Sequence, residues 1–410
     1  MASCPVCPVC PIHLPTRHRY EVIRIRAAND ARLTIIKLTA SGRPGIQVCG
    51  FSVAQDVPKG PPSHAGDALW RKLDQTLWER TRNPWAILQN TPQADIESIA
   101  RDPDWQRELA TAVEERACYL AEPSWFSENH RDAPLQAVAY FSMEFGLSEA
   151  FPLYAGGLGI LAGDYLKTAS DLGLPVIGVG LLYQEGYFRQ LVDANGQQRE
   201  AYPYNNPIDL PIQPVIDRTG AWLVVELPLP GRALHLRVWQ ANVGRVRLYL
   251  LDSNDLRNGP ADRGIIGKLY GNGAEMRLTQ AIVLGIGGWA MLDKLGIEAD
   301  VCHLNEGHAA FAVVEPARLF ARRTGLSFQE AGWATRAGNV FTTHTPVAAG
   351  FEAFPVELVQ QYFRDYQAQL GVPERDFLAL GRRDAADDKE PFNLDSSVDH
   401  LVFSISSYGH

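Results

Sequence analysis

The sequence predicts an α/β fold in which a parallel sheet is preceded by a helical region and interrupted by a small antiparallel insertion. Three observations support it: a strand–turn–helix–strand pattern over residues 137–182, two later strands that end in polar residues, and a period-two run over 223–251. Four parts are expected along the chain. They are 1–63 (unrecognised and partly disordered), 64–135 (helical), 136–392 (the α/β lobe, with the insertion at about 220–252) and 393–410 (a tail).

Composition limits the classes of partner. The chain has 410 residues, of which 46% are hydrophobic and 21% charged, and a formal net charge of −9, which is typical of a globular protein of one large or two smaller domains. We find no basic patch that would favour nucleic acid or an anionic membrane. The longest apolar runs, 172–183 and 281–292, are too short to span a bilayer, and the N-terminus lacks the apolar core of a signal peptide. We therefore expect a cytoplasmic protein without nucleic-acid or membrane partners.

The first 63 residues give the weakest pattern. Cysteines recur every third residue with prolines between them, and a histidine continues the period: Cys4, Cys7, Cys10 and His13. These side chains could bind a metal, but they are crowded on one segment whose prolines favour an extended backbone, whereas structural zinc sites usually combine two separated pairs. We expect a disordered tail and no metal. Strands are predicted at 20–25 and 33–38, followed by a loop-rich stretch at 42–62.

Residues 64–135 are predicted to form short amphipathic helices separated by X-Pro breaks. The tryptophans Trp70, Trp78 and Trp105 fit the apolar faces of these helices. We expect this region to support the sheet and to carry no chemistry.

The strand–helix–strand pattern carries the clearest local signal for a binding site. It comprises a strand at 137–141, a turn with Gly156, Gly157 and Gly159, a helix at 160–172 and a strand at 176–182. Glycine lets backbone N–H groups approach a ligand oxygen without a Cβ in the way, and the helix N-terminus favours an anion. The spacing departs from the dinucleotide-binding fingerprint. The spacing alone fits a phosphate-binding turn and a purely structural turn equally well.

Two further elements follow this unit. The period-two pattern at 223–251, broken at 230–231 and 242–244, predicts antiparallel strands that either shape a ligand groove or cover the core. A helix is predicted at 274–295, and its glycines allow close packing.

Polar residues follow two predicted strands, at the point where each strand ends. Asn305, Glu306 and His308 follow a strand at 300–304, and His344 follows a strand at 339–343. Because open α/β sheets bind ligands at the carboxyl ends of their strands, these loops and the glycine turn should converge on one crevice.

Each of these polar residues has alternative roles. Glu306 and His308 could bind a metal together with His303. However, the two histidines are five residues apart across a turn, whereas helical zinc motifs have a spacing of four. Asn305 and Glu306 suit a helix cap, and all of them suit contacts to sugar hydroxyls. His344 could be a buried strand-end histidine or a ligand contact.

The amino-acid sequences of four segments resemble those of one enzyme family. The segments are Tyr140–Phe145 (YFSMEF), Ala155–Asp164 (AGGLGILAGD), Asn305–His308 (NEGH) and Thr343–Pro346 (THTP). They resemble the α-glucan (glycogen and maltodextrin) phosphorylases, in the shorter bacterial and archaeal form, over about residues 65–392. The resemblance implies the Rossmann-like N-terminal lobe of a two-lobed, GT-B type glycosyltransferase.

The resemblance also implies an activity and site roles. The family releases glucose 1-phosphate from the terminal α-1,4-linked glucose of an α-glucan with inorganic phosphate, and it uses pyridoxal phosphate as a proton relay. The phosphate would contact Gly156, Gly157 and Leu158. The glucosyl pocket would include Asn305, Glu306 and His308, with His344 as the catalytic contact to the transferred glucosyl unit and Tyr140 near the cofactor. A homo-oligomer is possible in the full-length family.

The chain departs from the family in its C-terminal part. In the family a second lobe carries the lysine that forms the Schiff base with the cofactor; we expect this sequence to stop before that lobe, and residues 393–410 cease to match. We therefore expect the N-terminal half of a phosphorylase, inactive or weak alone. Two alternatives are a glycogen or starch synthase-type lobe and a non-catalytic glucan-binding module. Ala155 counts against the synthase, which usually has lysine before its Gly-Gly pair.

Overall fold

A computed structural model of the chain describes residues 19–26, 32–40, 43–49, 66–344, 352–401 and 403–406. The cysteine motif of the first 13 residues lies outside these ranges. The first described element is an antiparallel sheet in the order β1 (Arg19–Arg26), β2 (Arg32–Ala40), β3 (Arg43–Cys49). The two predicted strands are confirmed, but β3 lies in the stretch predicted to be loop-rich. Pro44 is compatible with a strand there because β3 is an edge strand of this sheet.

A helical region follows and has its own apolar core. Its helices are α1 (Asp67–Thr81), α2 (Pro84–Asn90), α3 (Gln93–Ile99), α4 (Pro103–Ala121) and α5 (Trp125–Asn129). The X-Pro breaks act as predicted. Asn83 caps α2 by accepting bonds from two backbone amides, and Asp102 caps α4, each before a proline in the first turn. The core of this region includes Leu69, Trp70, Trp78, Ile87, Trp105 and Leu109.

The predicted strand–helix–strand unit is confirmed, with a longer helix. It consists of β4 (Val138–Phe141), β5 (Phe145–Gly146), β6 (Pro152–Leu153), α6 (Gly157–Leu172) and β7 (Val176–Leu181). The helix begins at Gly157, three residues before the predicted start at Ile160. A Cβ on Gly163 would lie 2.1 Å from the carbonyl oxygen of Gly146, so glycine allows α6 to pack directly on β5.

The antiparallel strands do not form a separate sheet. The segment contains β8 (Arg189–Val192), β9 (Gln198–Ala201), β10 (Gln213–Pro214), β11 (Val224–Leu229), β12 (Arg232–Val243) and β13 (Val246–Asp252). Only β8 and β9 pair apart from the rest. β13 pairs in parallel with β7, so β10 to β13 extend the central sheet.

The next segment contains a wide helical turn. The elements are α7 (Pro260–Arg263), α8 (Ala274–Ile282), a π-helical turn (Val283–Gly287), α9 (Gly288–Leu295), β14 (Val301–Asn305), a 3₁₀ turn (Gly307–Ala312) and α10 (Val314–Thr324). The helix predicted at 274–295 is therefore present with a π turn inside it. A Cβ on Gly285 would lie 2.6 Å from the amide nitrogen of Ala312, so the wide turn packs against the 3₁₀ segment.

The remaining elements complete the sheet. They are α11 (Phe328–Thr335), β15 (Asn339–Thr343), β16 (Ala353–Phe354), α12 (Val356–Leu370), α13 (Glu374–Ala379), β17 (Phe392–Asn393), α14 (Leu394–Leu401) and β18 (Phe403–Ser406). β18 pairs in parallel with β15, so the sheet continues past the lobe boundary drawn at 392. Among the residues that the structure describes, the central sheet has nine strands in the order β10-β12-β13-β7-β4-β14-β15-β18, with β11 on β12.

Candidate functional site

The predicted site residues converge on one edge of the central sheet. β4, β14 and β15 are parallel neighbours, so their carboxyl ends meet at the same edge. From β4 the chain runs through α6 to β7 on one side, and it later returns to β14 on the other side. At such a reversal of strand order, open α/β sheets bind ligands outside the carboxyl ends of their strands. The glycine turn before α6, the segment after β14 and His344 after β15 all lie on this side of the sheet.

A buried glutamate that the sequence analysis did not single out contacts the glycine turn. Oε2 of Glu144 accepts the amide of Ala155 at 2.7 Å and that of Gly156 at 3.3 Å. Oε1 of the same carboxylate accepts the hydroxyl proton of Tyr270 at 2.7 Å. The amide of Gly156, predicted to contact phosphate, therefore donates to a carboxylate of the chain itself.

The amides in the first turn of α6 are the candidates for binding an anion. Gly157 and Leu158 are the first two residues of α6, where amides have no acceptor within the helix. Gly157 is exposed, and a Cβ built on it meets no heavy atom of the described residues within 4 Å beyond its chain neighbours and its own helix. The approach to these amides is thus open.

A chain of hydrogen bonds connects the ends of β4, β14 and β15. The hydroxyl of Ser142 donates to the carbonyl of Glu144 at 3.0 Å, and its oxygen accepts Nδ2 of Asn305 at 3.0 Å. This fixes the Asn305 amide with Oδ1 towards Nε2 of His344, at 3.0 Å. His344 therefore carries its proton on Nε2 when it is neutral. Asn305 is only 1% exposed and has both ends of its amide engaged within the protein.

Glu306 has a backbone conformation that favours glycine. Its φ is 68° and its ψ 168°, a region that non-glycine residues rarely adopt. Its amide donates to the carbonyl of Thr342 at 3.0 Å, while its carboxylate accepts the amide of His344 at 2.5 Å. These bonds join the segment after β14 to the end of β15.

His308 lies in a buried group of charged residues that includes two residues missed by the sequence analysis. Its Nε2 is 3.9 Å from Oε1 of Glu352, which accepts Nε of Arg277 at 2.5 Å. Nδ1 of His308 and Oε2 of Glu352 are buried and have no hydrogen-bond partner among the described residues. Burial lowers the pKa of His308, and the charges of Glu352 and Glu306 oppose this shift. No local pattern marks Arg277 or Glu352, because they are 75 residues apart in the chain.

Tyr140 and His303 form a buried aromatic group beneath this edge. Tyr140 is 2% exposed and stacks on Tyr165 with ring centroids 4.3 Å apart. His303 lies edge-on to Tyr140 at 5.0 Å, and its Nε2 is 2.8 Å from Oγ1 of Thr342. Burial, with a smaller contribution from nearby His344, lowers the pKa of His303 to about 4, so this imidazole is neutral at pH 7.

Neither a metal-binding cluster nor a membrane-spanning helix occurs among the residues that the structure describes. Within these ranges, no group of three or more histidine, cysteine, aspartate or glutamate side chains is arranged to hold a metal ion. No helix in the described part of the chain is long and apolar enough to cross a bilayer.

A covalently bound pyridoxal phosphate requires a lysine, and the described residues do not fit that requirement. No lysine occurs in the segments that follow β4, β14 and β15 as far as the structure describes them. Side chains elsewhere engage the ammonium groups of Lys72, Lys167 and Lys268, through Glu108, Asp164 and Glu185. We therefore assign no chemical step of this chain to the cofactor.

A cavity of about 620 Å³ lies at the opposite edge of the sheet. It is lined by residues at the amino ends of β14 and β15, including Asp300, Cys302 and Asn339. Burial raises the pKa of the Cys302 thiol, so this cysteine is an inert core residue. The cavity is therefore separate from the predicted site residues.

Comparison with known proteins identifies relatives. A family model described as "Protein of unknown function (DUF3417)" matches residues 63–151. The maltodextrin phosphorylase of Thermococcus litoralis is 42% identical over 315 residues, which are 77% of this chain and 37% of the relative. The glycogen phosphorylase of Mycobacterium tuberculosis is 41% identical over 346 residues, covering 80% of this chain and 40% of the relative. That of Aquifex aeolicus is 34% identical over 327 residues, covering 79% and 46%.

These matches confirm the resemblance inferred from the short motifs. The chain spans less than half the length of each of these three relatives, with shares from 37% to 46%. Over roughly four fifths of its own length, this chain is a homologue of the glycogen and maltodextrin phosphorylases.

Proposed function

We propose that this chain supplies one side of the active site of an α-glucan phosphorylase. In this proposal it is the Rossmann-like N-terminal lobe of a two-lobed, GT-B type glycosyltransferase. The observation that carries the proposal is the convergence of the glycine turn, Glu306, His308 and His344 on one crevice at the switch point of the sheet. The identity to named phosphorylases supports it independently.

The proposed reaction is phosphorolysis of the terminal α-1,4 bond of a glucan. An oxygen of inorganic phosphate forms a bond to C1 of the terminal glucose, while the bond from C1 to O4 of the next glucose breaks. The departing O4 takes up a proton that phosphate provides, so the products are glucose 1-phosphate and a glucan shorter by one unit. The glucosyl transition state has oxocarbenium character, which the buried carboxylates on this side of the crevice would stabilise.

In this proposal, phosphate and the glucosyl unit bind to opposite sides of the crevice. On the side of α6, we assign phosphate to the amides of Gly157 and Leu158, where the helix N-terminus favours an anion. On the other side, Glu306 and His308 would bind glucosyl hydroxyls, and His344 would contact the unit being transferred. The exposed apolar side chains of Ile160 and Leu161 in the first turns of α6 suit a face covered by a second lobe. The position of Tyr140 next to a cofactor stays a prediction.

A hybrid enzyme tests this proposal. The chain is joined to the C-terminal part of the Thermococcus litoralis maltodextrin phosphorylase, and formation of glucose 1-phosphate from maltodextrin and phosphate is measured. We expect phosphate-dependent release of glucose 1-phosphate. His344→Ala should lower kcat at least ~100-fold with little loss of stability, as expected for a contact to the reacting unit. His130→Ala is the matched control, because His130 is exposed beyond α5.

Two results would count against the proposal. A folded hybrid that binds maltodextrin without phosphate-dependent turnover would favour a non-catalytic glucan-binding module. Near-full turnover in the His344→Ala hybrid would remove His344 from the catalytic contacts.

A further inference from the structure

Glu144 is a buried residue whose carboxylate contacts the backbone of the glycine turn. Glu144 is 3% exposed, its Oε2 accepts the amides of both Ala155 and Gly156, and its Oε1 accepts the hydroxyl of Tyr270. Resting on the function proposed above, we infer that Glu144 is a positioning residue that holds the glycine turn, so that phosphate is bound by the first-turn amides of Gly157 and Leu158 and not by those of Ala155 and Gly156.

The packing around Glu144 supports this inference. A Cβ on Gly159 would lie 2.7 Å from Oε2 of Glu144 and 2.4 Å from Cβ of Tyr154. Any other residue at 159 would therefore push the carboxylate away from the two amides it accepts. The close contacts with Tyr154 and Glu144 therefore require a glycine at position 159.

The inference separates the amides of the turn into two groups. Those of Ala155 and Gly156 are satisfied by a carboxylate of the chain, and an added phosphate in that position would meet the negative charge of Glu144. Those of Gly157 and Leu158 lie in the first turn of α6, beyond the turn that Glu144 holds. Phosphate affinity should therefore depend on the position of the Glu144 carboxylate through the geometry of the turn.

Two substitutions distinguish this role from a direct electrostatic role. Glu144→Asp keeps the charge and withdraws the carboxylate by roughly the length of one methylene, about 1.5 Å. Glu144→Gln keeps the reach and a carbonyl acceptor for the turn, and removes the charge. In the hybrid enzyme, we expect Glu144→Asp to raise the KM for phosphate about 10-fold or more, since displacements near 1 Å can cost about 100-fold. Its KM for maltodextrin should change less than about 2-fold, and Glu144→Gln should raise the KM for phosphate less than about 3-fold.

Hydrogen exchange in the chain without the second lobe gives a readout that does not need activity. Glu144→Asp should speed exchange of the Ala155 and Gly156 amides at least ~10-fold, whereas Glu144→Gln and Tyr270→Phe should change it less. If the hybrid has no activity, the proposed function fails and exchange still decides the role of Glu144. Should Glu144→Asp not fold, Glu144→Ala takes its place: faster exchange of the Ala155 and Gly156 amides in Glu144→Ala than in Glu144→Gln supports the inference, and equal exchange overturns it.

The inference is overturned by either of two patterns. In the first, Glu144→Gln impairs phosphate binding as much as Glu144→Asp, which would make charge the relevant property. In the second, the amides of Ala155 and Gly156 exchange equally in all variants and the original chain, which would show that the turn keeps its shape without Glu144.

Discussion

Substitution of Gly163 tests how closely α6 packs on β5. A Cβ at this position would lie 2.1 Å from the carbonyl oxygen of Gly146, where an ordinary contact is about 3.5 Å, so helix and strand must separate by more than about 1 Å. The clash is with backbone, which cannot rotate away, and we place its cost at the upper end of overpacking, about 3 kcal/mol. Alanine returns about 1 kcal/mol as a better helix former than glycine. Gly163→Ala should therefore lower the free energy of unfolding by about 2 kcal/mol.

Gly157→Ala is the matched control for this prediction. It adds the same methyl group to the same helix, but at an exposed position with open space around the Cβ. We expect its free energy of unfolding to stay within about 0.5 kcal/mol of the original chain. Equilibrium urea denaturation of the 410-residue chain measures both variants. Equal stability of the two variants would refute the close approach of α6 to β5.

Two further predictions concern buried ionisable side chains. Because the pKa of His303 is about 4 when folded and 6.5 unfolded, the unfolded chain binds the extra proton between these pH values, and stability should fall by up to ~3 kcal/mol as the pH is lowered through that window. His303→Gln should flatten this part of the pH dependence in urea denaturation, and an unchanged slope would assign it to other groups. Arg277→Met should lower the free energy of unfolding by about 2 kcal/mol, because Glu352 stays buried without its cation. Adding Glu352→Gln to this variant should restore most of the lost stability. Additive effects of the two substitutions would show that the pair is not coupled.

The sequence predicted the elements whose signals are local. The strand–helix–strand unit, the X-Pro breaks and the polar residues after β14 and β15 all follow from patterns within a few residues, and the structure confirms them. The predicted convergence at one edge also holds, because it follows from parallel strands having their carboxyl ends together.

Features that depend on distant contacts could not be predicted. The hydroxyl of Tyr270 reaches Glu144 across 126 positions of sequence, and Arg277 reaches Glu352 across 75, so no periodicity reveals either pair. Period two indicates a strand but does not name its neighbour, which is why β13 was expected in a separate insertion. The π turn was missed because one extra residue in a turn hardly alters an apolar pattern, although the glycines at 285–288 were a signal for close packing.

The backbone of Glu306 carries a consequence for the evolution of this chain. A residue held at φ 68° and ψ 168° costs of order 1–3 kcal/mol relative to glycine, which adopts this conformation freely. A single nucleotide change converts a glutamate codon into a glycine codon, so mutation offers the more relaxed residue continually. That change would relax the backbone, but it would remove the carboxylate that accepts the amide of His344. The contact between the segment after β14 and the end of β15 is therefore made by a residue whose own backbone conformation opposes folding.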